Sequence, residues 1–237
     1  MTILRIVTKR RARPPWIPLI AVAFTVGLDV AGGACLPLLA RDPRVTRGAT
    51  GRISGVLPIG SRADSVTGGT PLPEPAAASL SYGWAPDSVR FPALELTVSI
   101  PFTLVPEPQA YVQLPRSLTG PLDVGAGAAY SWTTQSALPY LAVGWLDERR
   151  SGPLILAGYS HRGYPYYAHG SDPGSLLTTT LGYQFPTAVG TSQVFVQGVL
   201  ARHDASCIMN VPPFCTPTTR SWSAVAGFSR GIAFRRP

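Results

Sequence analysis

From residue 78 onward, apolar and small or polar residues alternate through one segment after another. In the clearest segment, Leu94, Leu96, Val98, Ile100 and Phe102 interleave with Ala93, Glu95, Thr97, Ser99 and Thr103. A second sets Leu122, Val124, Ala126, Ala128, Tyr130 and Trp132 against Asp123, Gly125, Gly127, Ala129 and Ser131. In a third, Leu177, Thr179, Leu181, Tyr183 and Phe185 stand against Thr178, Thr180, Gly182 and Gln184. Successive strand residues face opposite sides, so each segment carries one apolar face and one small, polar face. Strands are expected near 53–59, 78–85, 90–104, 109–116, 121–133, 136–147, 152–164, 174–185, 190–203 and 219–235. Most match the roughly 9–11 residues of a tilted membrane strand. No stretch keeps a 3.6-residue period with caps, so almost no helix is expected in the mature chain.

The expected fold is therefore all-β, a closed antiparallel transmembrane β-barrel of eight to ten strands, with ten preferred. Eight result if Ile53–Ile59 and Gln109–Arg116, which contains Pro115, do not form strands. Counting back from the C-terminus, the connections 202–219 and 163–174 are long while 186–190 and 148–152 are short, and residues 60–77 form another long loop. This resembles bacterial outer-membrane barrels, which have short periplasmic turns and longer outer loops. Ten strands place both termini in the periplasm. Tyr82, Trp84, Trp145, Tyr159, Tyr183, Trp222 and Phe234 fall toward strand ends, as interfacial girdles do. The last segment, with Phe228, Arg230, Ile232 and Phe234 alternating, is similar to the assembly signal of such barrels, although the chain then adds Arg235, Arg236 and Pro237. The resemblance covers about residues 51 to 235 and is one of pattern, shared by small outer-membrane proteins generally. It implies outer-membrane lipid and the barrel-assembly machinery as partners.

The N-terminus reads as an export signal. Lys9, Arg10, Arg11 and Arg13 precede an apolar run from Trp16 to Leu28, and small residues lead to Cys35. That run is shorter than the ~20 residues of a spanning helix. Residues 1–34 are thus a signal peptide, 35–50 a periplasmic linker and 51–237 the barrel domain. Gly33-Ala34-Cys35 resembles the end of a bacterial lipoprotein signal, with Gly32 where that family prefers Leu, and the resemblance implies lipidation of Cys35. Cleavage after Ala34 by an ordinary signal peptidase is the alternative. Three cysteines leave one over in an oxidising compartment; with Cys35 acylated, Cys207 and Cys215 are free to form a disulfide across the loop before the last strand.

Composition changes the picture little. Charged residues are 14%, with Gly 24 and Pro 25, which suits many turns and few helices. The formal charge of +8 falls to +4 beyond residue 34, since five of the basic residues and one acid precede Cys35. The remaining basic residues form no stripe with interleaved aromatics, so no nucleic-acid partner is expected.

Candidate chemistry is sparse. Ser160 and His161 are neighbours, but adjacent strand residues point to opposite faces and cannot serve as nucleophile and base. His169, Asp172, His203 and Asp204 fall in two loops on the outer side without the spacing of a compact metal motif. Glu95 and Asp123 take the polar parity and should face the lumen, pairing with inward arginines in a network that fills it. Gly125, Gly127, Gly182 and Gly227 on the same parity imply a narrow lumen. No catalytic, metal or cofactor residues are assigned. The expected function is structural, scaffolding or surface-interacting, with the outer loops open to a protein partner. The alternatives are an outer-membrane enzyme acting on lipid or peptide, and a periplasmic β-sandwich lipoprotein. Lys9 is the chain's sole lysine and the polar faces are Gly, Ala, Ser and Thr, which favours a barrel over a sandwich.

Overall fold

The computed structural model describes residues 40–63, 75–86, 90–101, 106–131, 136–160, 175–203 and 218–234, with the short pairings 35–36, 72–73, 206–207 and 215–216. The expected signal peptide lies outside the described residues. The period of two becomes ten strands: β1 (Gly48–Ala63), β2 (Ala76–Trp84), β3 (Ala93–Pro101), β4 (Glu107–Gln113), β5 (Asp123–Ser131), β6 (Ser136–Gly144), β7 (Gly152–Ser160), β8 (Ser175–Thr187), β9 (Gly190–His203) and β10 (Thr219–Ala233). Each pairs antiparallel with its neighbour in sequence, and β10 pairs with β1 to close the barrel. Closure gives each strand a neighbour on both sides around the ring, which lipid requires of any spanning sheet. A sandwich is thereby excluded.

The faces sort as the alternation predicts. Leu96 and Val98 are each 47% exposed, Leu181 55% and Tyr183 49%, all on the outer surface. Their interleaved neighbours Glu95, Thr97, Thr180 and Gln184 are buried inside. An apolar exterior around a polar interior inverts the soluble pattern and is that of a transmembrane barrel. Tyr82, Trp84, Trp145, Tyr183 and Phe234 lie outward near the end that holds the N-terminus of β1, and Tyr159 and Trp222 near the opposite end.

Two strands differ in extent from the expectation. β1 runs 16 residues, well beyond Ile53–Ile59. Its ladder to β10 shifts register where Gly60 lies opposite Ala224 but Pro58 opposite Val225, leaving Ile59 as an extra residue. A proline that cannot donate is commonly found at such a bulge. β4 stops at Gln113, and Pro115 instead precedes α1 (Arg116–Thr119), a single turn ended by Gly120 at a φ of 64°. The ladder of β1 to β2 ends at Gly55–Ala76, with Val56 N donating to Pro75 O just beyond it; past Val56, β1 is paired among the described residues with β10 alone.

Inside, bulky aromatics sit beside glycines in the same rung. Tyr111 on β4 is the partner of Gly127 on β5, whose partner on β6 is Tyr140. Phe195 on β9 likewise lies between Gly182 and Gly227. A Cβ at Gly127 would stand 2.5 Å from Tyr140 Cζ, so only glycine leaves room for the ring. The two tyrosine rings are nearly parallel, with centroids 6.2 Å apart. On this side of the lumen the rings thus pack directly over the glycines beside them.

Candidate functional site

The polar contents of the lumen are gathered by a segment that composition alone reads as linker. Residues 40–47 precede β1 and sit within the barrel, with Arg41, Asp42 and Val45 buried. Short, polar and without period, the stretch has no signature of an element. Its partners are supplied by strands far away in sequence.

Arg41 lies over the Tyr111 ring at 3.7 Å from its centroid, donates to Tyr140 Oη, and pairs with Glu95 Oε1 at 2.5 Å. Gln193 Nε2 donates to Arg41 O at 2.9 Å, and Tyr111 Oη donates to Pro43 O at 2.9 Å. Arg44 meets Asp123 at 2.8 Å and also donates to the carbonyls of Leu146 and Asp147. Val45 N donates to Gln113 Oε1 at 2.8 Å. Backbone and side chains of this segment are therefore held from β3, β4, β5, β6 and β9 together.

Asp123 is the hub. It opens β5, is fully buried, and accepts from Arg44, from Arg116 on α1 at 2.9 Å and from Gln113 at 3.1 Å. The hydrogen bond from Arg116 to this carboxylate raises that arginine's pKa above its ordinary value. Arg150 completes the ring from the turn between β6 and β7. It takes a φ of 64°, a backbone conformation that costs a non-glycine residue about 1–2 kcal/mol. Its guanidinium bonds Asp42 Oδ2 at 3.2 Å, Val45 O at 3.2 Å and Thr46 Oγ1. A continuous polar chain extends away from residues 40–47: Gln193 donates to Gln184, Ser229 to Gln193, and Arg52 to Ser229 at 2.8 Å.

Glu95 and Asp123 thus face the lumen and pair with arginines, as their parity predicts. The arginines themselves, Arg41, Arg44, Arg116 and Arg150, were not singled out by the sequence reading. They sit in connections, where no period marks their direction. Ser160 ends β7 facing inward and buried. His161, His169, Asp172 and Asp204 lie outside the described residues; His203 ends β9. Among the described residues, no group of three or more His, Cys, Asp or Glu side chains is placed to hold a metal.

The backbone places Cys207 directly opposite Cys215 in a two-residue antiparallel ladder. Cys35–Leu36 pairs in parallel with Leu72–Pro73 of the β1–β2 connection.

No family model matches the chain, and no curated protein matches it. A solved structure described as the NanC porin in a rhombohedral crystal form aligns over 79% of this chain and 100% of its own, at 10% identity and a TM-score of 0.40.

Within this network Asp42, Glu95 and Asp123 are each paired with a guanidinium, which offsets the cost of burying their charge.

Proposed function

We propose that the protein is an outer-membrane barrel with a structural or surface-interaction role, its lumen closed by its own residues 40–47 from the end where β1 starts and β10 stops. The observation that carries this reading is the enclosure of Arg41 and Arg44 by Glu95, Asp123 and Tyr140. A diffusion pore needs a continuous water path, and a charge-paired network of this kind inside the barrel supports a closed one. The apolar exterior supports residence in lipid, and the connections 161–174 and 204–218 are the longest available to a protein partner on the opposite side. The last strand, with Phe228 and Ile232 outward, supports recognition by the barrel-assembly machinery. Reconstituted into planar bilayers, the full chain is expected to give no steady ion current. A stable open-channel conductance would replace this reading with that of a passive pore.

The cysteines belong to the same reading. A Cys207–Cys215 disulfide is supported by their opposed register, because facing residues of an antiparallel pair have Cα atoms about 4.5–5.5 Å apart, within the ~4.4–6.8 Å of disulfides. Such a bond orders the β9–β10 connection, holding His203, Asp204 and Phe214 in one arrangement. Lipid on Cys35 rests on the Gly33-Ala34-Cys35 ending. Mass spectrometry of protein taken from membranes, under non-reducing conditions, is expected to find an acylated Cys35 at the mature N-terminus and a linked 207–215 peptide. Two free thiols would remove the disulfide, and an unmodified Cys35 or a different start would remove the lipid.

A further inference from the structure

Beside the plug, on the side walled by β1, β2 and β3, the lumen holds a cavity of about 240 Å³. Its walls carry the hydroxyls of Thr50, Ser54, Ser79, Ser81, Thr97 and Ser99. Three arginines line it, Arg41, Arg52 and Arg150, against two carboxylates, Asp42 and Glu95. Arg41 is paired with Glu95 and Arg150 with Asp42. Arg52 is different. Among the described residues its guanidinium bonds hydroxyls alone, Ser229 Oγ at 2.8 Å and Thr191 Oγ1 at 3.4 Å. Arg41, itself buried, also keeps an Nε without a partner among the described residues. Taking a cation out of water without a counter-charge is costly, and a guanidinium carries five N–H donors in a planar fork.

The geometry points to an oxyanion site: the cavity takes a small anion whose carboxylate or phosphate group lies against Arg52. The fork matches either group in a bidentate manner. The polar remainder of the molecule is held by the serine and threonine hydroxyls. The cavity is smaller than the roughly 300–1,000 Å³ of drug-sized pockets, so the ligand is a compact one.

Calorimetric titration of the refolded full chain in detergent, with inorganic phosphate in one arm and acetate in the other, tests this. Saturable one-site binding of at least one of the two is expected. Tighter phosphate assigns a phosphate ester, and tighter acetate a carboxylate. Arg52→Gln should weaken that binding at least tenfold, Arg52→Lys should fall between, and Arg62→Gln, at an exposed position farther along β1, should leave it unchanged. Each variant is checked for folding by its faster gel migration before heating. If Arg52→Gln does not fold, Arg52→Lys, which keeps the charge, carries the comparison. No saturable binding in either arm, or an affinity unaltered by Arg52 replacement, would overturn the site. The result is read independently of conductance, so a conducting barrel and an absent anion site remain distinguishable.

Discussion

Asp123→Ala is expected to lower the barrel's stability by about 3–5 kcal/mol, the range for removing one partner of a buried ion pair. The aspartate is fully buried, while its partners Arg44 and Arg116 retain 15% and 36% side-chain exposure. Water can therefore reach part of each orphaned guanidinium, which places the effect toward the lower end. Gln113 Nε2 loses an acceptor as well, and that side chain also holds Val45 N. The damage should consequently spread from β5 to residues 40–47. Urea unfolding in lipid vesicles measures the first effect. Trypsin measures the second, because Arg41 and Arg44 should be shielded in the native chain and cut in the variant. Native-like values in both assays would mean that the hub does not anchor the plug.

Val98→Arg should cost about 2–4 kcal/mol, since Val98 lies outward near the middle of β3 and a cationic side chain at mid-bilayer must shed its hydration. Ser99→Glu supplies the internal control. It adds a charge one residue along, but toward a cavity whose arginines outnumber its carboxylates by three to two, and should be tolerated far better. Urea titration of both variants in vesicles compares them directly. Equal losses would remove the assignment of faces, and with it the membrane placement of the wall.

The alternation that forecasts these opposite outcomes was legible because both faces of a barrel wall are uniform in character. Leu94, Leu96, Val98 and Ile100 meet one solvent and Glu95 and Thr97 another, so a period of two emerges without knowledge of any contact. The same logic located ten strands and the inward direction of Asp123 and Gly127. It failed where direction is set by distant partners. Residues 40–47 have no period, and Arg41 and Arg44 find their carboxylates 54 and 79 positions away. Composition could only describe that segment as polar. The start of β1 was missed for a related reason: Thr50 and Arg52 face the lumen and Gly48 and Gly51 carry no side chain, so the early part of the alternation offers only the small Ala49 as an apolar residue before Ile53. Tyr111 and Tyr140 were hidden too, because an inward tyrosine reads as an outward one unless the glycine opposite it is known.

The stretch of β1 beyond Val56, paired among the described residues with β10 alone, has a consequence for how copies of this chain meet. A free strand edge is a template on which another chain can add a strand, and crowded membranes supply many candidates. Here the template is spoiled at three places in quick succession. Pro58 has no N–H to offer, Ile59 bulges out of register, and Arg62 would bring a like charge against a second copy laid edge to edge. This length of strand is therefore a poor surface for a neighbouring barrel to zip onto.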